Sequence, residues 1–172
     1  FTAMAKSVAK NGGFYISRYE VGANGESKKN QKVLTAASSD GSNYLGANMW
    51  YGLYNTTRKI DENKQMIWGC QYDQVIKFIG EEAQVGHKER NLTATHDLSG
   101  QNELDKMNNV YDLEGNYREW TLENYYSDIR VIRGSNFGGI NDGKFYRASY
   151  RALTYGNQRD VFRDSTRVTL YL

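Results

Sequence analysis

Asn109-Val-Tyr-Asp-Leu-Glu-Gly-Asn-Tyr-Arg-Glu-Trp120 is the stretch that decides how this chain is read. Asp112, Gly115 and Asn116 are turn formers, which accept left-handed backbone or offer side-chain acceptors to nearby N–H groups. Glu119 and Trp120 then lead into Trp120-Thr-Leu-Glu-Asn-Tyr-Tyr126, rich in residues that favour a pleated strand. A tight acidic loop therefore runs directly into a β segment. Two further blocks follow in order. Arg130-Val-Ile-Arg-Gly-Ser135 is a β-type run closed by glycine, and the chain ends Ser165-Thr-Arg-Val-Thr-Leu-Tyr-Leu172.

Working outward, 172 residues suit a single domain, 1–172, with a sizeable core. The formal charge of +2 is too small to argue for nucleic acid or an anionic membrane as partner. No apolar run approaches the ~20 residues of a membrane span, and no basic-then-apolar signal segment opens the chain. A start at Phe1-Thr2 reads as the C-terminal domain of a longer protein or a processed form, with any oligomer contacts in the preceding part. Pro is absent and Gly numbers 17, so turns fall to Gly, Asn, Asp and Ser. The single cysteine, Cys70, excludes an internal disulfide framework and any mechanism needing two thiols in one chain. Within a helical apolar pattern it reads as a small buried residue.

Phe14–Val21 alternates polar and apolar and predicts a strand. The run 22–42 reads as a polar loop. Leu45–Arg58 places Leu45, Met49, Leu53 and Tyr54 at helical spacing, and Ile67–Ile79 places Val75, Ile76 and Ile79 on one helical face with Gly80 as its stop. Residues 61–64 form a polar turn, and 86–106 read as one long loop. From Asn108 onward short β segments alternate with Gly/Asn/Asp turns. The expected fold class is α+β, with two short helices, short antiparallel strands and long loops. His87 and His96 match no metal spacing, no Ser sits in a nucleophile elbow, and no Gly-rich phosphate loop follows a strand.

Taken in order, the three blocks resemble the C-terminal half of the formylglycine-generating (sulfatase-modifying factor) family, a branch of the C-type-lectin fold, whose blocks read roughly N-V-x-D-M-x-G-N-V-W-E-W-T, R-V-x-R-G-G-S and G-F-R-x-A. Gly13–Val21 is similar to that family's opening strand and Met66–Gln74 to its second helix, so the resemblance spans almost the whole chain. It implies a C-type-lectin-like domain of that branch. The family's enzymes oxidise a substrate cysteine with a cysteine pair near the C-terminus. Here 133–151 reads RGSNFGGINDGKFYRASYR, with Gly139 and Lys144–Phe145 near the matching places and no Cys. No other side chain substitutes for a thiolate. The reading is therefore of a non-enzyme. Calcium-dependent sugar binding by a Glu-Pro-Asn or Gln-Pro-Asp triplet is also excluded, since the chain lacks Pro.

Lys, Glu, Gln, Met and Trp are unevenly distributed. They number 33 in residues 1–123, a frequency that would place about thirteen in the following 49 residues, where only Lys144 and Gln158 occur. No codon ending in a pyrimidine encodes these five residues. Codons diversified from adenine-adenine-pyrimidine templates reach Asn, Tyr, Ser, Asp, Phe, Ile, Gly, Arg, Leu, Val, Thr and Ala instead. A Tyr/Asn/Gly-rich β tail could also avoid the five through strand preference. The first pattern is that of variable proteins of diversity-generating retroelements, many of which use this branch of the lectin fold. The chain resembles prophage-borne members of Firmicutes, whose tails read like RVxRGG…ASYR…GSRLTLY, at Arg130–Ser135, Ala148–Arg151 and Ser165–Tyr171. It departs from them at Ser135 (usually Gly), Arg147 (often Pro) and Asp164-Ser-Thr-Arg167.

That resemblance implies a variable region at about 133–166 and a ligand-binding face. Its expected members are Asn136, Phe137, Ile140, Asn141, Asp142, Leu153, Tyr155, Asn157, Arg159, Asp160, Phe162, Arg163 and Asp164. All are expected to be exposed, because residues free to vary cannot also be core. Aromatic, Arg and Asn side chains suit such a surface, combining contact area with adaptable hydrogen bonds. The implied partner is a protein or glycan on a host or target cell, and the implied location a phage tail or bacterial surface. The alternative is a catalytically inactive family relative with a fixed binding or structural role in a virion or on a cell surface. The family also carries a structural calcium before its Trp-containing strand. Carried over, the ligands are the side chains of Asp112 and Glu119 and the carbonyls of Gly115 and Tyr117, and hard oxygen donors in a Gly-bearing loop suit that ion. Equally open is a metal-free turn in which Asp112 caps loop N–H groups and Glu119 pairs with an Arg.

Overall fold

Helices form where apolar residues recur every three or four positions. In the computed structural model, which describes residues 1–22, 25–34, 49–58, 63–87, 98–136, 140–141, 144–156 and 164–171, there are three. Helix α1 (Thr2–Asn11) stops at Gly12, whose left-handed φ of 78° lets its N–H bond Val8 O at 2.9 Å. Helix α2 (Met49–Arg58) buries Trp50, Leu53 and Thr57. Helix α3 (Gly69–Ile79) buries Tyr72, Val75, Ile76 and Ile79 along one stripe. Its start is held by Gln71, whose side-chain oxygen accepts from Trp68 N at 3.0 Å, and its end by Gly80 at φ 82°. The helix expected from residue 67 begins at 69 because Ile67 is already engaged: its N–H donates to Arg167 O and its carbonyl accepts from Leu122 N.

The strands are short: β1 (Tyr15–Ile16), β2 (Lys64–Met66), β3 (Lys106–Met107), β4 (Val110–Tyr111), β5 (Arg118–Tyr126), β6 (Ile129–Arg133), β7 (Ile140–Asn141), β8 (Lys144–Phe145), β9 (Arg151–Tyr155), β10 (Asp164–Thr166) and β11 (Val168–Leu170). They build a four-stranded sheet in the order β10-β5-β6-β9, a three-stranded sheet β1-β11-β2, and the hairpins β3-β4 and β7-β8. Among the described strand pairs only β10 with β5 is parallel. The first strand pairs with the last, Tyr15 opposite Leu170, so the two ends of the chain close one sheet.

The larger sheet carries the core. Trp120, Ile132 and Ala152 lie opposite one another across β5, β6 and β9. Trp120 and Ile132 pack with Val21, Leu34, Trp50, Leu53, Met66 and Val168. A second cluster joins α3 to Met107, Val110, Leu113 and Ala148. Each large side chain so buried contributes about 1.5–3 kcal/mol of transfer free energy.

The architecture is the expected mixed α+β, with differences in detail. The strand expected over 14–21 is reduced to Tyr15–Ile16, although Ser17 N and Val21 N still bond Val168 O and Thr166 O at 3.0 and 3.1 Å. Helix α1 was not anticipated. The loop expected over 86–106 contains a 3-10 turn at Glu103–Asp105 and the start of β3, with 88–97 outside the described residues. Cys70 is exposed on α3 instead of buried. It sits at the first turn, on the side away from the Tyr72–Ile79 stripe.

Candidate functional site

The loop from Tyr111 to Trp120 folds on itself through its own Asx residues. Asp112 and Asn116 take positive φ of 63° and 53°, conformations that Asn and Asp tolerate better than other side chains. Buried carboxylates then cap the loop's backbone. Asp112 Oδ2 accepts from Gly100 N at 2.6 Å. Asp105 Oδ2 accepts from Gly115 N at 2.7 Å and its Oδ1 from Glu114 N at 3.3 Å. Glu20 accepts from the Asn116 amide and from Tyr117 N. Glu114 is fully buried, and both its oxygens lie within reach of His87 Nδ1, at 3.2 and 3.0 Å.

Arg167 is the cation at the centre. It is fully buried and donates from Nε and Nη2 to Glu119 Oε1 at 2.9 and 2.6 Å, from Nη1 to Ser17 O at 2.9 Å, and from Nη2 to Tyr111 O at 2.5 Å. One side chain thus ties the flank of β1, strand β4 and strand β5 together. Around it lie three buried carboxylates, Glu20, Asp112 and Glu119. Burial pushes all three upward from the usual carboxylate range. Glu20 is pushed furthest, with Asp112 and Glu119 adding repulsion. Asp112 is raised to about 6, against the opposing pull of the Gly100 N–H and of Arg167. Glu119 is raised by burial despite its guanidinium partner. Burial disfavours the charge on Arg167, but Glu119, Glu20 and Asp112 outweigh it and hold the guanidinium protonated.

These residues supply the negative charge that a hard cation requires. Glu119 Oε1 is committed to Arg167 and Asp112 Oδ2 to Gly100 N. Glu119 Oε2 and Asn116 Oδ1 are buried and accept no hydrogen bond among the described residues. No group of three or more His, Cys, Asp or Glu side chains is disposed around a common metal position among the described residues. The contacts of Asp112 and Glu119 are those of the capped, ion-paired turn.

The expected binding residues divide. Leu153 and Tyr155 are 47% and 57% exposed on the edge strand β9, where exposed residues alternate with half-buried ones. Tyr155 lies opposite Ile129, and Ile129 opposite Tyr126, which is itself 74% exposed, so a row of two tyrosines with an isoleucine between them crosses three strands. Asn136 and Asp164 correct the expectation of exposure, at 3% and 1%. Asp164 sits opposite Arg118 in the parallel β10-β5 pair and accepts from its Nε at 2.7 Å. Ser165 Oγ donates to Leu34 O at 2.8 Å and Thr166 Oγ1 to Trp120 O at 2.9 Å. Both ends of the 133–166 segment are therefore frame: Arg133, Ser135, Asn136 and 164–166 are all buried. Ile140 and Asn141 form β7, their side chains outside the described part. Phe137, Asp142, Asn157, Arg159, Asp160, Phe162 and Arg163 lie outside the described residues. Sequence reasoning missed the participation of Glu20, Asp105 and Arg167, whose partners are distant along the chain.

No family model and no curated protein matches the chain. Among solved structures, one titled "Crystal Structure of CarF" is similar with a TM-score of 0.49 at 12% identity, covering 99% of this chain and 81% of that one. No helix among the described residues is long and apolar enough to cross a membrane.

Proposed function

We propose that this chain is a ligand-binding variable domain of the C-type-lectin-like, formylglycine-enzyme-related type, diversified by a retroelement and displayed on a phage tail or a bacterial surface. One observation carries the reading. Leu153 and Tyr155 are exposed on β9, inside the segment where Lys, Glu, Gln, Met and Trp almost vanish, while the flanking residues 131–136 and 164–169 are buried frame. A rigid frame with a changeable outward face is the usual way to vary a site without losing a fold. The ligand class is a protein or glycan on a target cell. The single cysteine supports the absence of thiol-pair oxidase activity, since that chemistry needs two thiols in one chain.

The test is genomic and then biochemical. A near-copy of the gene's 3′ end, differing only at adenines and lying beside a reverse transcriptase, is expected. Its absence, together with unchanged binding to whole target cells by Leu153→Ala and Tyr155→Ala variants, would leave the alternative: an inactive family relative with a fixed role. The same reading carries calcium at Asp112, Gly115, Tyr117 and Glu119. The excess of buried carboxylates and the unpartnered Glu119 Oε2 support it, and the Arg167 contact on Oε1 weighs against it.

A further inference from the structure

On the other side of the same sheet end lies a groove of about 410 Å³. Side chains alternate across a strand, so Arg130 and Thr154, opposite each other, face away from the Ile129–Tyr155 row. The groove is built on a ladder of rings and cations. Tyr54 stacks on Trp50 at 5.0 Å and 9°. The Arg58 guanidinium lies 5.4 Å from the Tyr54 ring and that of Arg130 lies 4.6 Å from the Trp50 ring. Lys64 adds a third cation to the lining, which contains no Asp or Glu among the described residues.

These cations are positioned without being neutralised. Arg58 Nη1 donates to Tyr54 Oη at 2.9 Å. Arg130 Nη1 donates to Asn124 Oδ1 at 2.6 Å and to Ser127 O at 3.0 Å. All these acceptors are neutral, and none of the three cations pairs with a carboxylate among the described residues. Two lining residues, Trp68 and Gln65, bury N–H groups, Nε1 and Nε2, that find no acceptor among the described residues. A buried donor left unpaired costs about as much as a lost hydrogen bond. Planar guanidinium groups match the spacing of two oxygens on one acid group.

We infer that this groove binds an oxyanion: a sulfate, phosphate or carboxylate group, free or carried on a sugar. The site goes beyond the proposed variable face and lies on the opposite side of the sheet from it.

The experiment titrates the whole chain at low ionic strength with sodium sulfate, sodium phosphate and glucuronate, with sodium chloride matched for ionic strength. Trp fluorescence reports binding, since Trp50 and Trp68 line the groove, and calorimetry gives the affinity. Saturable binding of at least one oxyanion, absent with chloride, is expected, with affinity at least tenfold weaker in Arg58→Gln and in Lys64→Gln at unchanged melting temperature. Tighter binding of glucuronate than of both mineral ions identifies a carboxylated sugar as the source, and the reverse order identifies a free mineral anion. Failure of every oxyanion to saturate, or identical curves in both variants, overturns the inference. Leu153→Ala should leave these titrations unchanged, which separates this site from the proposed variable face.

Discussion

Gly134 shows at residue scale how closely the loop is packed. Its φ is 75°, and a Cβ there would stand 2.6 Å from Leu113 O and 2.9 Å from Tyr72 Oη. Gly12 has a similar φ of 78° but open space around it. Gly12→Ala is therefore expected to cost about 1 kcal/mol for the left-handed backbone alone, and Gly134→Ala about 3 kcal/mol because backbone must also move. Urea denaturation of the two variants checks this, and equal losses would refute the close approach. Asp112 makes a pH prediction. Its folded-state value of about 6 lies above its ordinary 3.8, so the folded state holds the proton more tightly than the unfolded chain. The stabilisation is complete below about pH 4 and is lost as pH rises through about 6, on the order of 3 kcal/mol in total. Glu20 and Glu119 push the same way. In metal-free buffer, Asp112→Asn keeps an acceptor for Gly100 N and removes the charge, so stability should fall less between pH 4 and 7 than in the parent. An identical pH profile would contradict the burial of an ionisable Asp112.

At the scale of elements, β9 and β10 were expected to belong to one variable surface, and they behave oppositely. Strand β9 is an edge, with Leu153 and Tyr155 turned outward. Strand β10 is a short parallel partner of β5 with all three residues buried. Leu153→Ser should change stability by less than about 0.5 kcal/mol, as outward substitutions do. Asp164→Ala removes the acceptor of the Arg118 Nε–H, a side chain only 17% exposed, and should cost about 1–3 kcal/mol. Thermal melts of the pair decide between face and frame, and a larger loss at Leu153 would reverse the assignment.

For the whole molecule, the point at issue is how the excess of buried negative charge is compensated. If calcium is held at the loop, chelation by EDTA at pH 7 removes a stabilising ligand. At a free calcium concentration about a hundredfold above its dissociation constant that is worth about 2.7 kcal/mol, or a drop of roughly 5–10 °C in Tm. Asp112→Ala should abolish the response. Added calcium should also flatten the pH dependence of the parent, because a bound cation keeps the carboxylates ionised. No shift on chelation selects the turn capped by Gly100 N–H and paired to Arg167.

Features set by neighbours along the chain were legible in the sequence. The Asx and Gly pattern of 112–116 foretold the tight loop, the apolar spacing in 45–58 and 67–79 foretold two helices, observed at 49–58 and 69–79, and short alternating runs foretold the β-rich second half. These depend on backbone preference and on periods of two or about 3.6 residues, which are local quantities. Tertiary structure alone decided the rest. Arg167 meets Glu119 across 48 positions and Ser17 across 150, and Asp164 meets Arg118 across 46. No local period reports such pairs, so the sequence suggested an exposed Asp164 and a buried Cys70, and the fold reversed both. The groove between Arg58 and Arg130 likewise depends on Trp50 of α2, which bonds Gly156 O and Thr121 O and so comes to lie under Arg130. Burial is a property of what packs over a residue, and a residue's own identity does not contain it.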